Sequence, residues 1–281
     1  MLVDAETLEP ARDGFSRVFG EAAERIKPEL FESFVEITTP VVETAEEVEA
    51  ELRALRREVA ARAAEHGLGV LATGSHPTAR GRIPIVPVER YERLKAKLGA
   101  RLYRQVVCGL HVHVSVPDPD TCLRAFEGVL PRLPDLLARS ANSPYWDGED
   151  SGWRSIRSQI LLEMPTGGTP PVLRGWNDWT AATRGDSKRR HWDVWPRPEY
   201  GTLEVRVIDQ PTSLRRTAEF AAEIQRLVRE AADFDGRPFD RAEYDAARDR
   251  AGREGDGPEA ERQLELGPEA AVREIAALTL G

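Results

Sequence analysis

The sequence predicts an α+β protein built around an antiparallel, half-covered sheet. Two kinds of segment carry that reading. Several stretches repeat their apolar residues at helical spacing. Others alternate apolar and polar residues, with β-branched residues on the apolar side, so that each keeps one polar face. No internal repeat is visible, and strands and helices are interleaved along the chain.

Thr44 to His66 reads as the first long helix. Thr44 and Glu47 have the spacing of a capping box, Val48, Leu52, Leu55 and Val59 form one apolar stripe, and Gly67 stands at the C-terminal end. A second helix starts near Asp120 and carries Phe126, Val129, Leu130, Leu133, Leu136 and Leu137. Pro131 and Pro134 predict a break within it. Leu214 to Ala232 gives a third, with Phe220, Ile224, Leu227 and Val228 on one side. Phe34–Ile37, Leu68–Ala72, Val106–Val116 and Thr202–Ile208 are the strand candidates. Asn142 to Arg197 is irregular yet holds all six tryptophans, which points to an ordered, functional loop region. Residues 233–265 are highly charged and read as a mobile loop or surface helix without chemistry. Gly267-Pro268 opens a last short helix.

Composition narrows the function. The chain has 281 residues, 39 Lys+Arg and 48 Asp+Glu, for a net charge of −9. Such an acidic balance disfavours bulk nucleic acid or an anionic membrane as partner, though it leaves room for a local basic pocket. There is no run of ~18 apolar residues to span a bilayer, and the first residues have neither the basic nor the apolar region of a signal peptide. Cys108 and Cys122 make no metal or disulfide pattern, which fits a reducing cytoplasm. Neither a phosphate-cradling P-loop nor a dinucleotide-binding glycine motif occurs, and there is no nucleophile elbow.

The chemistry concentrates in two strands. In Gly109-Leu110-His111-Val112-His113-Val114-Ser115-Val116, alternation puts the aliphatic residues on one face and His111, His113 and Ser115 on the other. Two of five histidines together on a polar face suit a metal pair or a phosphate contact. In Thr202-Leu203-Glu204-Val205-Arg206-Val207, Glu204 and Arg206 share the polar face. Alone they read as a surface ion pair. Beside the histidines they suit a metal–phosphate site. Glu36 is either a third site carboxylate or an edge-strand charge. Arg157 is a solvated cation or a clamp for a substrate carboxylate, and Asn142 opens an Asn-Ser-Pro turn. His76 and His191 read as structural. A zinc hydrolase using His111, His113 and Glu204 is a lesser reading, because Arg206 is a poor neighbour for zinc.

The segments FVEITTPV (34–41), LATGSHP (71–77), CGLHVHVSVPD (108–118), LARSANSPYWDGEDSG (137–152), SIRSQI (155–160) and HWDVWPRPEYGTLEVRV (191–207) together resemble the type 2 glutamate–cysteine ligases, or carboxylate–amine ligases. The His-x-His strand is also similar to that of glutamine synthetases. The resemblance implies a curved, mainly antiparallel sheet with helices on one face and a funnel on the other, residues 1–281 forming a single catalytic domain. It implies ATP-dependent amide-bond formation between the side-chain carboxylate of glutamate and the amine of cysteine or a similar amino acid, through an acyl-phosphate. ATP and Mg2+ are the implied cofactors, small amino acids the partners, the cytoplasm the location and a homodimer the possible assembly. Residue by residue, Glu36, His111 and Glu204 match metal ligands, His113 and Arg206 phosphate contacts, Arg157 a substrate-carboxylate contact, and Asn142 the pocket wall. Three departures accompany it. The family's Gly-Val-Glu-Glu-Glu-Phe strand, with its metal-binding glutamates, is expected before Leu2 and is not in this sequence. Trp195 stands where the family has arginine, and Trp179 to His191 is short. A catalytically impaired relative that binds nucleotide or amino acid without turnover is the alternative reading.

Overall fold

A computed structural model describes residues 1–164, 166–184 and 191–281. In chain order its first half contains β1 (Leu2–Asp4), α1 (Gly14–Val18), β2 (Ile26–Pro28), β3 (Val35–Ile37), α2 (Ala45–Ala64), β4 (Leu68–Val70), α3 (Glu89–Leu98), β5 (Val112–Ser115), α4 (Pro119–Val129) and α5 (Leu133–Ser140). The second half contains β6 (Tyr145–Trp146), β7 (Glu149–Asp150), α6 (Ile156–Ile160), β8 (Gly167–Gly168), α7 (Trp176–Thr183), β9 (His191–Trp192), β10 (Val194–Arg197), β11 (Thr202–Val205), α8 (Leu214–Glu230), α9 (Arg241–Glu254), α10 (Pro258–Leu266) and α11 (Pro268–Leu278).

The α+β class holds, and the pairings are antiparallel except for β8 with β9. The single curved sheet does not: by hydrogen bonding, the described strands fall into small separate sheets. The largest has three strands in the order β10-β11-β5, and the others pair β1 with β4, β2 with β3, β6 with β7 and β8 with β9. The physical reason shows at the site strands. Val106–Val116 was expected to pair throughout, but the continuous strand is Val112–Ser115 alone. At Gly109, where the Arg157 guanidinium passes directly over the backbone, the pairing narrows to an isolated antiparallel bridge with Asp209. A Cβ there would come within 2.1 Å of that group. The same arginine donates to the carbonyls of Arg206 and Val207, at 2.9 and 3.2 Å. Those carbonyls are thereby withdrawn from the ladder, and β11 ends at Val205 rather than Ile208.

Local signals set the helices much as their residues suggest. Glu47 N–H donates to Thr44 Oγ1 at 3.2 Å and Thr44 N–H to Glu47 Oε2 at 3.1 Å, closing the capping box of α2. The proline pair splits the second helix into α4 and α5 around a 3₁₀ turn at Leu130–Arg132. Its Phe126, Leu133 and Leu137 enter the main core with Val194, Leu203, Val205, Phe220, Ile224 and Leu227. That core lies under the β10-β11-β5 sheet and between α4, α5 and α8, which makes the sheet's floor rigid.

Residues 233–265 hold more structure than their charge suggests. They form α9 and α10, and Tyr244 and Arg248 of α9 are buried. Arg248 Nε donates to Asp193 Oδ2 at 2.6 Å and the Tyr244 hydroxyl to the same oxygen at 2.9 Å. A buried ion pair needs several partners to offset its lost hydration, and the charged α9 supplies them. Among the described residues no helix is long and apolar enough to cross a membrane.

Candidate active site

β5 and β11 lie side by side with Val112 opposite Val205, His113 opposite Glu204 and Val114 opposite Leu203. Alternation then turns His111, His113 and Glu204 toward one large cavity of about 1920 Å³, while Val114, Leu203 and Val205 go to the core. The cavity runs from this sheet to β3, α2 and α8. It is lined by eight Lys or Arg side chains against five Glu, in a chain whose net charge is −9. The wall has the opposite sign to the molecule, which favours anionic ligands.

Glu204 is the centre, at 2 % exposure. Arg206 donates to its Oε1, and Arg197 Nε donates to Oε2 at 2.5 Å. His111 Nδ1 and His113 Nε2 each lie 3.6 Å from the same Oε1. Burial by itself would raise the carboxyl's pKa. Arg206, His113, His111 and Arg197 outweigh burial and hold it far below the usual carboxylate range. His111 opens into the cavity yet lies deep in the protein. That depth first, then Arg206, pushes its pKa well below the usual value against the pull of Glu204, so it is neutral. The other nitrogen of His113 meets Thr202 Oγ1 at 2.9 Å, and Tyr200 sets its ring edge-on to the imidazole at 5.7 Å.

Arg157 reaches the cavity wall but is buried, held by the Arg206 and Val207 carbonyls and lying 3.7 Å from Asp209 Oδ1. Burial first, and Arg206 next, lower its pKa, while Asp209 opposes them. Asn142 does not line the cavity. It is fully buried, its Nδ2 donating to the Gln210 carbonyl at 2.8 Å and to Thr212 Oγ1 at 3.2 Å, and its Oδ1 accepting from Gln263 at 2.6 Å. Asp209 accepts from Asn142 N–H, Ser143 Oγ and Ser155 Oγ at 2.7–2.9 Å. The Asn-Ser-Pro and Ser-Ile-Arg segments therefore meet behind the sheet rather than at the ligand space, because Asp209 supplies the anion that their donors need.

Glu36 also lines the cavity, in β3 and across from Lys27. Sequence reasoning missed its neighbour Glu29. That carboxyl's pKa is raised, by its depth in the protein first and by Glu36 second. Arg197, two residues after Trp195, holds Glu204 directly. His191 was expected to be structural and instead lines the cavity, its pKa lowered to about 4 by burial and then Arg206. Trp195 lies outside the cavity. Its ring is fully buried 4.2 Å from that of Trp192 and 6.0 Å from that of Phe126, so this departure alters the core rather than the ligand space. Of the short segment Trp179–His191, residues 185–190 lie outside the described residues.

The donor set does not fit a resident magnesium ion. Magnesium wants several free oxygen ligands in octahedral geometry, whereas both oxygens of Glu204 are taken by guanidinium groups. No group of three or more His, Cys, Asp or Glu among the described residues is arranged to hold a metal. A zinc centre on His111, His113 and Glu204 fails for the same reason. A polyphosphate fits better, since the Arg206 guanidinium and the His113 imidazole line the cavity.

The chain covers 95 % of its length on the crystal structure of a bifunctional glutathione synthetase from Pasteurella multocida. The two share 18 % identity and a TM-score of 0.58, and the match covers 42 % of that chain. At that identity the likeness speaks for the fold alone. "Putative glutamate–cysteine ligase 2-1" of Rubrobacter xylanophilus is 36 % identical over 84 % of this chain and 66 % of its own length. "Putative glutamate–cysteine ligase 2" of Bdellovibrio bacteriovorus is 37 % identical over 73 % of this chain and 56 % of its own. The chain thus spans less than two thirds of the length of these relatives. The profile of glutamate-cysteine ligase family 2 (GCS2) matches residues 2–267, including both site strands. On that match and the relatives' identity, the chain belongs to glutamate–cysteine ligase family 2.

Proposed function

We propose that this chain carries the catalytic site of an ATP-dependent carboxylate–amine ligase, joining the side-chain carboxylate of glutamate to the amine of cysteine or a similar amino acid. One observation carries the reading: Glu204, Arg206, Arg197, His111 and His113 converge on the floor of a single basic-walled cavity. Arg206 and His113 are the groups that would hold the nucleotide's phosphates. ATP, when bound, supplies the phosphoryl group that makes a carboxylate reactive toward an amine. Guanidinium groups already fixed by Glu204 stabilise charge on a transferring phosphoryl group without reorganising. Neutral His111 beside them adds no positive charge against the incoming amine. Glu36 and Glu29 add two carboxyl groups to the β2–β3 side of the cavity, where an amino group can meet them.

The test is ADP release by the protein supplied with ATP, magnesium, glutamate and a panel of amino-acid amines. Glutamate- and amine-dependent release that is lost in Arg206→Ala supports the proposal. Release that is indifferent to both substrates refutes it. The saturated carboxylate of Glu204 favours one second reading, a family member that binds nucleotide without turnover. Calorimetric binding of a non-hydrolysable ATP analogue, with no ADP release for any pair, selects that reading.

A further inference from the structure

Tyr200 stays 64 % exposed, and it is the aromatic one among the large hydrophobic side chains that remain exposed in the described residues. It lines the cavity at the tip of the β10–β11 hairpin. The backbone beneath it is fixed. Tyr200 N–H donates to the Arg197 carbonyl at 3.0 Å, Gly201 N–H to the Pro198 carbonyl at 3.2 Å, and Val116 N–H to the Gly201 carbonyl at 3.1 Å. Gly201 takes a φ of +65°, the left-handed conformation that lets the chain reverse directly after the ring. The Tyr200 and His113 rings meet edge-on at 83°, so at least one tyrosine face is free of the imidazole. A ring held in place with an open face is a platform for a flat partner.

The charges along the cavity floor set which end of a nucleotide comes here. Arg206 stands beyond the other end of β11, and from Thr202 to Arg206 is about 13 Å at the usual rise of a strand. That is the order of length between the base and the terminal phosphate of a nucleoside triphosphate. Glu199, next to Tyr200, also lines the cavity and pairs with Arg197 at 3.6 Å. A carboxylate repels phosphate but accepts from a ribose hydroxyl or an exocyclic amino group. We propose that Tyr200 is the stacking platform for the nucleotide's base and gives the site a preference for a purine over a pyrimidine triphosphate. The larger purine covers more of the phenol face, whereas glutamate or cysteine has no flat face to offer. The proposal rests on the ligase reading, which puts the phosphates at Arg206 and His113.

Titration calorimetry of the intact chain tests this, with magnesium and non-hydrolysable analogues of ATP and UTP beside inorganic tripolyphosphate. Wild type binds the ATP analogue more tightly than either of the others. Tyr200→Ala weakens the ATP analogue about tenfold, the usual worth of one stacked base. It weakens the UTP analogue by less and leaves tripolyphosphate unchanged, while Tyr200→Phe keeps the wild-type values. Both variants change an exposed side chain, so both fold. An ATP analogue indifferent to Tyr200→Ala overturns the proposal. So does an equal loss for tripolyphosphate, which would make the tyrosine a support for His113, and so does a Tyr200→Phe that behaves like the alanine variant. Failure of the ligase reading shows separately, as nucleotide bound without ADP release, and leaves the stacking result standing. A wild type that binds none of the three overturns both.

Discussion

Glu204→Ala tests whether the site's carboxylate is also a structural keystone. The sequence suggests a polar surface pair whose loss leaves the fold untouched. The structure instead buries the carboxylate between Arg197 and Arg206. Removing it takes the shared carboxylate from two mostly buried guanidinium groups, of which Arg197 keeps Glu199 at 3.6 Å. Breaking a buried pair in this way costs about 3–5 kcal/mol. At about 2–4 °C per kcal/mol for a domain of this order of size, the melting temperature falls by roughly 10 °C. Glu204→Gln keeps the shape and one acceptor and falls by less.

The loss depends on pH with a definite sign. Glu204 is held far below its ordinary value of 4.5 in the folded protein. Its stabilisation is therefore full above that value and is lost as pH falls through the folded pKa. Between pH 4.5 and 3 the unfolded chain gains about 2 kcal/mol by protonating this group. The gap between wild type and Glu204→Ala should close by that amount. Thermal and urea unfolding followed by circular dichroism at pH 7 and pH 3 measures it, with ADP release in parallel. A melting temperature unchanged within about 2 °C at pH 7 would show that the two arginines do not depend on Glu204, and the reasoning fails.

Two further outcomes follow from named contacts. Gly109→Ala brings a methyl group to 2.1 Å from the Arg157 guanidinium. It should cost about 1–3 kcal/mol and reduce turnover further by shifting the backbone of His111; unchanged stability and turnover would mean that Arg157 moves aside freely. His76 is buried, its Nε2 against the Leu8 carbonyl at 2.8 Å, and burial lowers its pKa from 6.5 to about 4. The folded state resists its protonation, so up to about 3 kcal/mol of stability is present above pH 6.5 and is lost as pH falls toward 4. His76→Asn should flatten that slope in urea titrations, and an unchanged slope assigns the acid sensitivity elsewhere.

Much of the site was legible because strand periodicity is a local rule. Val114, Leu203 and Val205 go inward and His111, His113, Glu204 and Arg206 face the cavity, as alternation requires of two half-covered strands. The Thr44–Glu47 box and the proline break after Val129 are legible for the same reason: each acts within one turn of helix. Asn142 shows the limit. Its motif marks a special position but not which special position, and only the buried anion of Asp209, 67 residues away, makes it a clasp behind the sheet.

By itself the sequence determined which side chains share a face and which family the motifs resemble, because both follow from residues near one another in the chain. Tertiary structure alone decided which charge meets which. Arg248 of a segment that reads as solvated closes on Asp193, whose carbonyl holds the Arg206 N–H at 2.8 Å. Arg197 and Arg206 together claim both oxygens of Glu204. Pairing of this kind depends on hydration lost at a particular depth, and depth exists only once the chain has packed.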